Sequence, residues 1–266
     1  MHNRERLVDL RRTHFQKRLP LNQQVINLAG NIDTHAFLIN PASHNIFLYL
    51  TDYVKVFSEY WFKTSSNKIR VLDWGCGKGH ISFLMREMDV QITSCDVRGT
   101  GTGDSAFGQT TPIIEKASLT VVPLEHPYLL PFNDASFDLV LSFGVLEHVP
   151  NDLASLGEIN RVLKPEGLFF CFFLPYYFSW TQRLAHLRGD FYHDRLYSKK
   201  MVKNLLKQTN FELLDLWHRQ LLPKNSVSYA NYHVFESVDQ WLSENTPFKY
   251  IGTNIEFVAY ALCEMG

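Results

Sequence analysis

The chain has 266 residues, 45% of them apolar, and a formal net charge of −1. That is ample material for a core, and so neutral a balance raises no global field to recruit nucleic acid or an anionic membrane. The N-terminal MHNRERLVDLRR has no apolar stretch of the secretory kind and no run nears ~18 apolar residues, so a cytoplasmic protein without an integral membrane segment is expected.

The first 18 residues are basic, with Arg4, Arg6, Arg11, Arg12, Lys17 and Arg18 against Glu5 and Asp9. They read as a solvated helix turning Leu7, Leu10 and Phe15 inward. Residues 40–63 give the first strong helix, with Asn40 as N-cap, Pro41 at the first helical position, and Ile46, Leu50, Tyr53 and Phe57 at helical spacing. Strand Lys68–Trp74 follows, then the turn Gly75-Cys76-Gly77-Lys78-Gly79, then a helix carrying Ile81, Leu84, Met85 and Met88 on one face. Strands are expected at Val90–Val97, Leu119–Leu124 and Phe137–Phe143. A helix at Asp152–Leu163 comes next, stopped by Lys164-Pro165-Glu166-Gly167. Leu168–Leu174 is an almost unbroken apolar run, as a parallel strand buried on both faces requires. A helix at Ser198–Gln208 and strands Phe211–Arg219 and Ile255–Cys263 complete the order.

Strands alternating with helices predict an α/β fold: a Rossmann-like, mostly parallel seven-stranded sheet with helices on both faces. Such sheets bind ligands beyond the carboxyl ends of their strands, so the loops after Trp74, Asp96, Leu124, Phe143 and Leu174 should line one cleft. The single expected domain divides into an N-terminal helical flap over that cleft (1–66), a cofactor-binding core (67–175) and a C-terminal substrate-side part (176–266). The last contains an aromatic insertion, 221–253, expected as a substrate flap or a homodimer contact, or as a small satellite core around Val238, Trp241 and Leu242.

The glycine turn after the first strand lets a ligand approach the backbone and opens a helix whose free N–H groups favour negative charge. A dinucleotide site wants G-x-G-x-x-G; here the spacing is G-x-G-x-G, with His80 in the third glycine's place. Asp73 beside the turn would also repel a pyrophosphate. A phosphate-free, cationic nucleoside removes the conflict, and S-adenosylmethionine is such a ligand. Asp96, 21 residues after Gly75, then stands where a carboxylate can accept from both ribose hydroxyls.

Four segments in this order, VLDWGCGKGH, SCDV, LPFNDASFDLVLSFGVLEHV and EINRVLKPEG, resemble the class I S-adenosylmethionine-dependent methyltransferases, and most closely the quinone-biosynthesis branch. The resemblance covers roughly residues 68–175. It implies cofactor contacts by Asp73, Gly75, Cys76, Gly77 and Gly79, by Asp96 and Val97, and by the strand-four lip Ser142, Phe143 and Gly144. Where the family has an adenine-contacting Asp four residues before Leu-Pro-Phe, this chain has His126, with Glu125 before it; one of these or a backbone group takes that role.

Methyl transfer is an in-line displacement that depends on alignment, and a hydroxyl or acidic-carbon nucleophile must also lose a proton. His148, beside Glu147 just after the fourth strand, is the first choice as general base, and the bland alternative is that the pair orders the following helix. His35 and His193 are weaker candidates. Tyr176, Tyr177, Phe178 and Trp180 either cover a planar substrate or pack the flap. Arg98–Asp104, a second glycine-rich turn, lacks the Gly-Lys-Ser/Thr ending of a nucleotide loop and reads as a mobile loop beside the ribose. Cys76, Cys95, Cys171 and Cys263 are too far apart for local metal spacing. No His/Cys/Asp cluster has it either, so buried, reduced thiols and no metal are expected.

The expected reaction is S-adenosylmethionine-dependent methylation of a small-molecule or lipid- or carrier-linked acceptor, first at oxygen. No Asn/Asp-Pro-Pro-Tyr/Phe tetrapeptide follows the fourth strand, where the resembling enzymes carry it for amino-group methylation. The rivals are a nicotinamide-dependent oxidoreductase and a non-catalytic cofactor-binding scaffold.

Overall fold

The structure, a computed structural model, describes residues 10, 24, 25, 27, 28, 41–97, 111–189, 193, 195–222 and 232–263. Seven strands form one sheet: β1 (Arg70–Trp74), β2 (Gln91–Val97), β3 (Val121–Leu124), β4 (Phe137–Phe143), β5 (Leu163–Pro175), β6 (Phe211–Arg219) and β7 (Asn254–Ala261). Their spatial order is β3-β2-β1-β4-β5-β7-β6. β3, β2, β1, β4 and β5 pair in parallel, and β7 runs antiparallel to both its neighbours. The helices whose bounds the described residues give are α1 (Pro41–Phe62), α2 (His80–Glu87), α3 (Pro112–Lys116), α4 (Asp152–Val162), α5 (Trp180–Leu187), α6 (Lys199–Gln208) and α7 (Tyr232–Asn245).

Alternation along the strands splits the core in two. Val71, Leu139, Leu141, Phe170, Phe172 and Val258 meet α1 and α2 on one face. Leu72, Val140, Phe169, Cys171, Phe257 and Ala259 meet α4 and α6 on the other. Side-chain caps set the helix starts: Asn151 Oδ1 accepts from the Ala154 N–H, and Ser198 Oγ from that of Met201.

Four expectations change. The helix expected as a flap outside the sheet order is instead a layer of the core. Ile46, Leu50, Tyr53 and Phe57 are fully buried, and Tyr53 packs edge-on against Phe170 and Trp217. An apolar face that wide needs a sheet to cover it. Only its early part reaches the cleft, where the Phe47 ring lies 4.5 Å from that of His80. The expected break at Lys164–Gly167 belongs to β5, which begins at Leu163 opposite Phe137 and shifts register before Leu139.

The insertion builds α7 and a 3₁₀ turn, Pro247–Ile251, but among the described residues no satellite core around Val238 and Trp241. Val238 and Trp241 face outward at 46% and 59% exposure, while Asp239 and Ser243 are buried. Asp239 Oδ1 accepts from the Leu221 and Leu222 N–H groups, so a polar anchor holds the helix against the end of β6. Finally, Cys76, Cys95 and Cys171 are buried free thiols, but Cys263 lies beyond the end of β7 and is exposed. Among the described residues, no helix is long and apolar enough to cross a membrane.

Candidate active site

β1, β2, β4, β5 and β6 end on one edge of the sheet, and the glycine turn sits there after β1. Gly75, Gly77 and Gly79 all have positive φ, at 71°, 52° and 79°. At Gly79 the reason is packing, since a Cβ would lie 2.5 Å from Ile114 Cγ1. At Gly77 packing is not the reason: among the described residues, a Cβ there would meet nothing nearer than the Gly75 carbonyl at 4.0 Å, which leaves room beside this backbone.

Asp96, at the end of β2, joins the turn to the sheet. Its Oδ2 accepts from the Gly77 N–H at 2.6 Å and its Oδ1 from the Val97 N–H at 2.7 Å. Burial raises its pKa, and these two bonds oppose the rise. Each oxygen keeps a second lone pair, the requirement for accepting from a vicinal diol. Asp73 faces inward instead. It is 1% exposed and accepts from Ser82 Oγ, which in turn bonds Ser94 Oγ. Burial pushes its carboxyl up to about 7 against the Ser82 bond, with the neighbouring Asp96 adding to the rise. The sequence reading missed Ser82 and Ser94, whose only signal is that one stands on the helix and the other on the strand flanking the turn.

His126 holds a local turn after β3. His126 Nδ1 accepts from the N–H groups of Tyr128 and Leu129, and Glu125 is exposed. At the β4 lip, Ser142 is fully buried and Phe143 packs on Phe172 at 4.6 Å. Gly144 has φ 67° and donates its N–H to the Phe172 carbonyl.

Glu147 and His148 follow on that loop. The Glu147 side chain is 3% exposed and that of His148 59%, with Oε1 and Nε2 3.9 Å apart. A strap is tied to the same loop: Arg195 donates to the Val149 carbonyl at 2.9 Å, and the Tyr197 hydroxyl lies 3.1 Å from both the Leu146 carbonyl and Asp152 Oδ2. The strap brings His193 beside His148, with ring centroids 5.6 Å apart. Local spacing could not show this grouping, because His193 lies far along the chain.

The aromatic quartet divides. Tyr176 is buried against His218 and Trp180 donates to the Leu221 carbonyl, while Tyr177 and Phe178 stay exposed at the edge. Val97 is exposed, and Cys76 is buried beneath the turn. His35 and the Arg98–Asp104 turn lie outside the described residues.

Residues 42–216 match the family model described as a methyltransferase domain. A Mycolicibacterium smegmatis protein named as a probable S-adenosylmethionine-dependent methyltransferase is 27% identical over 152 residues, 54% of this chain and 52% of its own length. The Maricaulis maris ubiquinone biosynthesis O-methyltransferase is 29% identical over 106 residues, 39% of each chain. The Schizosaccharomyces pombe sterol 24-C-methyltransferase is 34% identical over 103 residues, 38% of this chain and 26% of its own length. The chain therefore spans about half or less of the length of these relatives. A solved Galdieria sulphuraria structure, described as a candidate sarcosine dimethylglycine methyltransferase, superposes over 91% of this chain and 98% of its own. Its TM-score is 0.59 at 15% identity, a likeness of fold.

Proposed function

The chain belongs to the class I S-adenosylmethionine-dependent methyltransferases, and from that premise we propose that it methylates an oxygen of a small-molecule or lipid- or carrier-linked acceptor. One observation carries the cofactor half of this reading: the open, positive-φ backbone at Gly77, held by the Asp96 carboxylate. Asp96 is assigned to the ribose hydroxyls, the Gly75–Gly79 turn to the aminoacyl part, and the Ser142–Gly144 lip to the sulfur end. The exposed edge of the 126–129 turn is assigned to the adenine. A cationic sulfur leaves as a neutral thioether when its methyl carbon is attacked, so the protein's tasks are alignment and removal of the acceptor's proton. The Glu147–His148 pair, on the loop that leaves β4, is assigned to that proton.

Oxygen as the accepting atom is supported by the ubiquinone O-methyltransferase relative, and carbon by the sterol C-methyltransferase relative. NMR of the product, reading O–CH3 against C–CH3, separates them. An acceptor other than nucleic acid is the reading the near-neutral charge supports.

Calorimetric titration tests the cofactor half. S-adenosylmethionine is expected to bind the parent, NADH is not, and Asp96→Ala is expected to bind at least tenfold more weakly. A hydrogen bond to a charged group contributes about 1.5–3 kcal/mol. Equal affinity in parent and variant overturns the assignment. Tight cofactor binding without turnover over a broad acceptor panel favours the scaffold reading.

A further inference from the structure

Glu147 presents an anomaly that proton transfer alone does not explain. Its side chain is almost wholly buried, and its Oε2 has no hydrogen-bond partner. Burying a carboxylate with one oxygen left without a partner is costly. Two imidazoles stand beside it. One ligand atom each from Glu147, His148 and His193 lie within 4.8 Å of one another. None of the three belongs to the glycine turn or to the Asp96 side of the cleft.

We propose that Glu147, His148 and His193 form a binding site for one first-row divalent transition cation, such as Mn²⁺ or Zn²⁺, at the acceptor end of the cleft. The inference rests on the methyl-transfer reading above for its catalytic meaning, though not for the binding itself, and it replaces the base role given there to the Glu147–His148 pair. Two nitrogens and one carboxylate oxygen suit this class of ion better than Mg²⁺ or Ca²⁺, which take oxygen ligands. Metal–ligand bonds of about 2.0–2.2 Å bring ligand atoms somewhat closer together than 4.8 Å. The His148 side chain, 59% exposed, is able to swing by that amount. The other two ligands are held. Glu147 is packed against Gly144, where a Cβ would come within 3.6 Å of its Oε1. His193 lies two residues before the Arg195 anchor, which with Tyr197 bonds the same loop. A three-residue protein set leaves coordination positions open, as a site that engages a substrate requires.

A cation there changes the duty of His148. Its lone pair is on the metal, so the imidazole is a ligand and not the base. The cation lowers the pKa of an acceptor hydroxyl that binds it, and the proton leaves to solvent. The oxygen lone pair then forms the O–CH3 bond while the C–S bond breaks, its electron pair remaining on sulfur.

The test uses the full chain stripped with EDTA and titrated with Mn²⁺, free ion being read by electron paramagnetic resonance, with Zn²⁺ as competitor. The expected result is one saturable site per chain that Zn²⁺ displaces. Glu147→Gln and His193→Asn should each weaken it at least tenfold while keeping the parent's far-UV circular dichroism. S-adenosylmethionine affinity is measured on the same samples, and His193→Asn is expected to match the parent. Absence of saturation, or Mn²⁺ affinity unchanged in both variants, overturns the site. Should Mn²⁺ bind as expected while S-adenosylmethionine does not bind the parent, the site stands and the methyl-transfer reading falls.

Discussion

Asp73 ties the turn to its neighbours through a buried proton. Its carboxyl is raised from 3.8 to about 7, first by burial and then by Asp96, against the Ser82 bond. Between those two values the folded protein holds a proton that the unfolded chain has released. Stability therefore falls as pH rises from about 4 to about 7, and this group's contribution is level outside that window. Glu147, also raised to about 7, adds a slope of the same sign, so the informative quantity is a difference. Asp73→Asn keeps an acceptor for Ser82 and cannot titrate. Urea denaturation across pH 4–7 should show the variant gaining on the parent as pH rises, by at most roughly 4 kcal/mol. A difference that stays flat refutes the buried-proton account. The carboxylate itself was legible in the sequence, since an acid beside a glycine turn is conspicuous. Its inward direction was not, because that depends on Ser82 and Ser94 meeting across two elements.

Most elements could be read from periodicity and punctuation. Phe137–Phe143 and Phe211–Arg219 have the bounds the pattern suggests, and Asn151 and Ser198 start helices as their side chains allow. What periodicity cannot say is what covers a face. The stripe on α1 predicts burial equally well under a flap or on a sheet, and Val238 and Trp241 look like core until Asp239 is seen holding α7 by bonds to backbone. The pairing of β6 with β7 contains another feature beyond sequence reading. Glu256, fully buried, accepts from Trp217 Nε1 at 2.7 Å and from Arg219 Nε at 2.6 Å, and the Arg219 guanidinium lies over Tyr49 of α1. Removing one partner leaves a buried charge, so Glu256→Ala should cost about 3–5 kcal/mol in denaturant midpoint analysis. Glu256→Leu combined with Arg219→Met should recover much of that loss, because no buried charge then remains. If the double variant is as unstable as the single, packing rather than charge governs this edge.

At the scale of the molecule, the displacement of α1 from flap to layer has a thermodynamic consequence. A flap can melt alone, whereas a helix whose Tyr53 and Phe57 contact Phe170 of β5 cannot leave without opening that face of the sheet. The strands of the cofactor half and the substrate-side strands β6 and β7 belong to one sheet, so losing either half leaves the other with an unpaired edge. A single cooperative transition is therefore expected, with far-UV circular dichroism and tryptophan fluorescence coinciding. S-adenosylmethionine at about 100 times its Kd should add about 2.7 kcal/mol and move both probes together, by roughly 5–10 °C. Two separated transitions would mean that α1 and its neighbours form an independent unit. A cofactor shift confined to one probe would mean that the glycine turn is coupled to only part of the sheet. Coincidence under both conditions ties the cleft's geometry to the whole core, including strands that no cofactor atom is assigned to touch.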